Sequence, residues 1–239
     1  MPTFFRKNKT EYQESYSQCG EDLVVYFVLK NHLKVDVPSY LDVGANEPRK
    51  YNNTCLFYSM GSRGVLVEPD PDLARALSEA RPHDKILNVG ISDRAGERTF
   101  YLMDPHTLNT FSKRESELYQ KFYSGVSLRG ARKTKVITIN KLIEDYFPLG
   151  LDFLSIDIEG LDKVVIESLD FKRHRPSVIC IESMIYGEDN RLTKSQEIAE
   201  QLYKNNYFKY ADTFVNTIFV DKIKWLSLGQ PNLVNMEGF

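Results

Sequence analysis

Cysteine is scarce in this chain: three residues in 239, at positions 19, 55 and 180. They lie too far apart for a zinc site, and their odd number makes no disulfide framework. A reducing compartment is the simple expectation, and with it a cytoplasmic location. Cys180 falls in the apolar run Val178-Ile179-Cys180-Ile181 and reads as a small core residue. Long hydrophobic stretches are missing too, which argues against a membrane span. The opening Met1–Tyr16 is polar without an apolar centre, so no secretory leader is expected there. There are only four histidines, and no HxxxH, GxSxG or GxxxxGK spacing to mark a metal, nucleophile or phosphate site. Positive charge is not in excess either. The net charge is −2, so nucleic acid is not the expected partner. The local basic clusters at Arg129–Lys135 and Lys172–Arg175 read as solvated loops or helix ends.

What is present is ordinary globular material, 42% hydrophobic and 27% charged, enough for one α/β domain spanning 1–239. Residues 1–16 read as an N-terminal extension. Apolar strands are expected at Tyr40–Val43, Gly64–Glu68, Ile86–Val89, Asp152–Asp157 and Ser177–Glu182. Helical patterns fall at Glu21–Leu33, Asn53–Met60, Pro71–Ala80, Lys163–Leu169 and Ser195–Asn205. Asp70 is a suitable N-cap for the third of these, with Pro71 in its first turn. The end of the pattern, Phe208–Ala211 and Val215–Val220, reads as an antiparallel pair. Residues 97–135 interrupt it as an insertion or lid: a strand at Arg98–Met103, a helix at Glu115–Tyr123, a Gly- and Arg-rich loop, then a strand at Lys135–Ile139.

Four of the strands finish in acids: Asp42, Glu68, Asp157 and Glu182. In a doubly wound sheet such ends share one edge, above the crevice where ligands bind. Asp42 leads into Gly44-Ala45-Asn46, where one glycine allows backbone to approach a ligand. A dinucleotide fingerprint would need further glycines where Ala45 and Asn46 stand. Glu68 follows Asp42 by 26 residues, near the ~20 expected for a carboxylate gripping ribose hydroxyls. Ser92-Asp93 follows the third strand, where a carboxylate could meet an adenine amino group. Asp157-Ile158-Glu159-Gly160 ends the fourth. Its acids could hold a cofactor ammonium, act as general base, or share a divalent ion with Glu182. His106, in the insertion, is the one histidine to weigh as a base.

The chain resembles the FkbM-type adenosylmethionine-dependent methyltransferases from about Tyr16 to about Lys222. The carriers are Ser17-Gln18-Cys19-Gly20-Glu21-Asp22, Leu41-Asp42-Val43-Gly44-Ala45-Asn46, Val67-Glu68-Pro69-Asp70-Pro71, Asn88-Val89-Gly90-Ile91-Ser92-Asp93, Ser155-Ile156-Asp157-Ile158-Glu159-Gly160, Ile181-Glu182 and Asn216-Thr217-Ile218-Phe219-Val220. The resemblance implies a Rossmann-like class I fold: a mostly parallel seven-stranded sheet closed by an antiparallel last strand. It implies S-adenosyl-L-methionine as cofactor and, most often, methylation of a hydroxyl on a sugar, glycan or natural-product-like acceptor. Asp42, Gly44, Ala45 and Asn46 would cradle the methionine part, Glu68 with Pro69 and Asp70 the ribose, and Ser92-Asp93 the adenine side. Gln18 and Glu21 would fold over the methionine end. Asn109-Thr110, with His106 nearby, resembles a substrate-pocket segment. With no appended recognition domain in this sequence, acceptor choice would fall to the insertion.

A sugar hydroxyl is a poor nucleophile at neutral pH, so a base or a metal is expected to assist it. Asp157, Glu159 and Glu182 are the candidates, with magnesium or manganese as the optional ion. Two other readings stand beside this one: an NAD-linked nucleotide-sugar oxidoreductase or epimerase, and an adenosylmethionine-binding protein without catalysis. The sequence leaves the oligomeric state open.

Overall fold

The computed structural model describes residues 14–186 and 192–231. Most of the expected extension, residues 1–13, lies outside them. The elements run in the order α1 (Glu21–Phe27, continued by a π-helical turn Val28–His32), β1 (Tyr40–Val43), α2 (Cys55–Ser59), β2 (Gly64–Val67), α3 (Pro71–Ala80) and β3 (Lys85–Leu87). Then come β4 (Gly90–Ile91), β5 (Gly96–Asp104), α4 (Lys113–Phe122), β6 (Ser127–Ile137) and α5 (Ile139–Tyr146). The chain continues through β7 (Phe153–Ile156), α6 (Asp162–Ser168), β8 (Val178–Glu182), β9 (Met184–Tyr186), β10 (Leu192–Lys194), α7 (Gln196–Lys204), β11 (Tyr207–Asp212), β12 (Asn216–Asp221) and α8 (Lys222–Ser227).

Seven strands form the main sheet in the order β11-β12-β8-β7-β1-β2-β3. All neighbours are parallel except around β12, which runs against both β8 and β11. The expected seven-stranded sheet with an antiparallel last strand is therefore present. Strand order reverses between β1 and β7, the switch point where a crevice opens at the carboxyl ends. Alternation along each strand splits the core into two layers. Leu41, Val43, Leu154, Ile156, Ile179 and Ile181 face α5, α6 and α7 through Leu142, Ile166 and Leu202. Tyr40, Leu66, Phe153, Val178 and Cys180 face α1, α2, α3 and α8 through Val25, Phe57, Leu77 and Trp225.

The insertion builds its own three-stranded sheet, β4-β6-β5. The expected Gly- and Arg-rich loop is mostly strand. β6 pairs with β5 from Gly96↔Val136 to Asp104↔Ser127, and that ladder overrides the weak strand preference of Gly130 and Ala131. Strand pairing stops at Ile137, and Thr138 caps a helix there by accepting from the Lys141 amide. The strand expected at Lys135–Ile139 therefore ends two residues early, and Ile139 opens α5, a helix the local pattern does not announce. Asp70 caps α3 as expected, accepting from the Asp72 amide at 2.9 Å.

Candidate active site

The crevice above β1, β2 and β7 holds a cavity of about 240 Å³. Its walls include Gln18, Gly44, Asn46, Glu68, Pro69, Asn109, Asp157, Glu159 and Glu182. Nine of the residues expected at the site thus meet on one cavity, from six separate stretches of chain. The turn after β1 is tight. Gly44 has φ +86°, and a Cβ there would stand 1.8 Å from the Asp157 carbonyl oxygen. Only glycine lets this backbone lie so close to β7 and still border the cavity. Asn46 also adopts the left-handed region, φ 49°, and its amide donates to Glu68 at 2.9 Å.

Glu68 is buried at the end of β2. One carboxylate oxygen accepts from the Asn46 amide and the other from the Asp70 amide, at 2.9 and 2.8 Å. Burial pushes its pKa up to about 7, against the pull of those two amides. Each oxygen has capacity for a further donor, and Glu68 borders the cavity. Asn88, which opens one of the stretches that carry the resemblance, donates to the carbonyls of Glu68 and Pro69 and fixes this turn.

Asp42 occupies a different place. It lies two residues before Gly44, on the same strand face as Tyr40, and points away from the cavity toward α2 and α3. Its carboxylate accepts from Thr54 at 2.7 Å and from Asn52 at 3.4 Å. Arg81, 1% exposed, donates to Asn52, Thr54, Tyr40 and Asp84 in the same network. Burial raises the pKa of Asp42, opposed by the Thr54 hydrogen bond and the Arg81 charge. Asn52 also donates to the carbonyls of Ala45 and Glu47, so the network braces the turn from behind. Glu21 has a similar bracing position. It accepts from Thr213, Asn216 and the Cys19 amide, next to Gln18 in the cavity wall.

The remaining expected residues lie off the lining. Ala45 donates its amide to Val67. Asp70 takes Asn109 Nδ2 at 3.2 Å. Ser92 donates to Asp93, which pairs with Arg98 at 2.8 Å outside the cavity. His106 Nε2 stands 3.3 Å from Glu47 Oε1 at the rim. The wall near the β2 and β3 ends is instead aromatic: Phe100 and Phe111, ring centroids 4.7 Å apart. Phe111 packs over Gly90, where a Cβ would meet its ring at 2.3 Å. Nothing in the spacing of the sequence flagged this pair.

Asp157, Glu159 and Glu182 converge, with one carboxylate oxygen from each lying within 4.8 Å of the others. Burial, then the charges of Asp162 and Asp42, raise Asp157 to about 7. Glu159 is pushed well up by burial and by Asp157, and Glu182 by burial, Glu159 and Asp157. Like charges this close do not all ionise, so the cluster retains protons near neutrality. The insertion clasps the turn that carries two of these acids. Tyr119 of α4 donates to Glu159. Thr110 donates to the Glu159 carbonyl at 2.5 Å, and Glu115 covers Gly160. Glu159 itself holds φ 50°, a strained conformation of the kind that clusters at functional sites. Asp162 caps the turn, accepting from the amides of Ile158 and Gly160. The three convergent carboxylates are also the donor set a hard divalent cation would need.

No curated protein sequence matches the chain. Among solved structures it is similar to a TehB-like SAM-dependent methyltransferase from Corynebacterium glutamicum, at 10% identity over 85% of this chain and 88% of that one, TM-score 0.41. It is similar to 1,6-didemethyltoxoflavin-N1-methyltransferase from Burkholderia thailandensis with S-adenosylhomocysteine bound, at 11% identity over 85% and 77%, TM-score 0.41. An O-methyltransferase from Bacillus cereus in complex with S-adenosylhomocysteine is 13% identical over 87% and 82%, TM-score 0.41. The profile of the Methyltransferase FkbM domain matches residues 42–210, from β1 to the edge strand β11. That match covers most of the chain and sets aside the NAD-linked reading: the chain belongs to the FkbM family and is an S-adenosylmethionine-dependent methyltransferase.

Proposed function

We propose that the chain methylates a hydroxyl of a sugar, glycan or similar small acceptor, with Asp157 as the general base. The observation that carries this reading is the convergence of Asp157, Glu159 and Glu182 on the cofactor cavity, partly protonated and unmatched by any cation on its lining except Lys50 at the opposite turn. When bound, adenosylmethionine supplies an electrophilic methyl group for in-line transfer to the acceptor oxygen. Its fit rests on this chain's own geometry: the glycine cradle at Gly44, the buried Glu68 carboxylate, and the unpartnered Asn46 Oδ1 on the lining. Glu68 accepts the two ribose hydroxyls, and Phe100 and Phe111 offer an apolar aromatic wall to the adenine. Asn46 and Gln18 border the methionine end. Asp157, poised near 7, takes the hydroxyl proton as the oxygen forms its new bond, and passes it to the shared cluster and then to solvent.

The acidic lining and the net charge of −2 favour a small-molecule or glycan acceptor over nucleic acid. Among the described residues no helix is long and apolar enough to cross a membrane. Three free cysteines suit a cytoplasmic setting. A second reading is favoured by the same three carboxylates: a magnesium or manganese ion held there would lower the pKa of the acceptor hydroxyl.

The test is incubation with labelled adenosylmethionine and a panel of sugars, nucleotide sugars and lipid-linked glycans, read by mass gain. Asp157→Asn or Glu182→Gln is expected to lower turnover at least tenfold, ~1.4 kcal/mol of barrier, with little change in adenosylhomocysteine affinity. Turnover lost to EDTA and restored by magnesium or manganese selects the metal reading. Wild-type turnover in both variants removes these acids from the chemistry.

A further inference from the structure

A second cavity, about 170 Å³, shares Glu159 and Glu182 with the first. Its other walls come from Glu115 and Tyr119 of α4, Asp162, and an apolar patch of Met184, Ile185 and Ile198. The two acids therefore border both the cofactor cavity and a neighbour that no cofactor contact explains. The charge of this neighbour is lopsided. Its two cations are already engaged at the rim: Arg114 with Glu115 Oε1 at 3.0 Å, and Lys163 with Glu167 and Glu197 at 3.9 and 3.6 Å. Asp162 spends its oxygens on two backbone amides. Glu115 is 7% exposed, and its Oε2 has no hydrogen-bond partner. A buried, unsatisfied carboxylate oxygen is rare enough to require a reason.

We propose that this second cavity receives the methyl acceptor, and that the acceptor is a single-ring polyol bearing a protonated amine. The inference rests on the proposed function and adds a route and a recognition element to it. The volume is below the roughly 300–1,000 Å³ occupied by drug-sized ligands, so one ring fits. An ammonium brings three donors and a charge, which is what Glu115 Oε2 and its neighbours lack. Met184 and Ile185, beside the core residue Ile198, match the C–H face of a ring. Held as an ammonium, the amine has no lone pair and is not a nucleophile. A ring hydroxyl presented at Glu159 and Glu182 then attacks the methyl carbon. The S–C pair returns to sulfur, and the hydroxyl proton goes to the carboxylate cluster that Asp157 shares with Glu159 and Glu182.

Titration of the full chain, saturated with adenosylhomocysteine, tests this, using glucosamine, glucose, N-acetylglucosamine and magnesium chloride as probes. Glucosamine is expected to bind at least tenfold more tightly than the two neutral sugars, without displacing adenosylhomocysteine. Glu115→Gln should cut that preference below threefold and leave adenosylhomocysteine affinity unchanged. If this variant does not fold, the wild-type preference for glucosamine decides alone. Equal affinity for the three sugars, absence of sugar binding, displacement of adenosylhomocysteine, or displacement of glucosamine by magnesium each overturns the inference. Adenosylhomocysteine binding is read first in the same experiment, so its failure marks the loss of the underlying functional reading instead.

Discussion

Lowering the pH should weaken cofactor binding through Glu68. In the free protein burial holds this carboxyl at about 7. To accept two ribose hydroxyls on oxygens that already take the Asn46 and Asp70 amides, it has to be charged. Binding therefore selects the ionised form and, below pH 7, releases a proton. Affinity should rise with pH through 7 and level off above it. At pH 5, about two units below the free value, the charged fraction is on the order of 1%, so the loss approaches 100-fold, or ~2.7 kcal/mol. Asp157 titrates in the same range and borders the same cavity, so wild type alone does not isolate Glu68. Glu68→Gln does. The amide would point a donor at one of two backbone N–H groups and lower affinity at every pH, by about 1–3 kcal/mol for the unmet group. The decisive quantity is the slope, not the offset. Calorimetry of adenosylhomocysteine between pH 5 and 8, in buffers of different ionisation enthalpy, should show about half a proton released at pH 7 in wild type and less in the variant. A flat wild-type profile, or the same slope in Glu68→Gln, would refute the ribose assignment.

Gly44→Ala should lose adenosylhomocysteine binding and destabilise the fold by about 2–4 kcal/mol, because the added Cβ collides with the Asp157 carbonyl at a positive φ; an unchanged melting curve would contradict the close approach of β1 and β7. Arg81→Ala should cost about 3–5 kcal/mol in denaturant unfolding, since it leaves buried Asp84 and Asp42 without their cation. The same variant should weaken cofactor binding through Asn52 and the Ala45 carbonyl it holds.

The strands of the main sheet were legible because each is a short apolar run closed by a turn residue, and the site was legible where an acid falls just past a strand end. Glu68 and Asp157 satisfy that condition, and Glu182 is itself the last residue of β8. Asp42 does not. One residue short of the end, it alternates onto the opposite face, a distinction of register that strand-end counting overlooks. The insertion was harder. β6 owes its length to pairing with β5 rather than to its own residues, so local preference misplaced both the strand and the helix after it. Tyr119 and Glu115 looked like ordinary positions on an amphipathic helix. Their role comes from docking against a turn some 40 residues further on, which no local pattern encodes. Phe100 and Phe111 were hidden in the same way among an aromatic-rich composition.

The clasp formed by Thr110, Glu115 and Tyr119 on the Asp157–Gly160 turn gives the insertion two jobs that are not separable. A segment that only selected acceptors could be exchanged between related enzymes to retarget them. Here an exchange would also change the hydrogen bond on Glu159 and the carboxylate beside it, and so the proton inventory of the reacting centre. Swapped insertions should transfer specificity with activity only when these three contacts travel with them. Libraries aimed at new acceptors are better placed on the apolar side of the second cavity, at Met184 and Ile185, with residues 110 and 119 held constant and 115 varied only where the charge of the acceptor is to change.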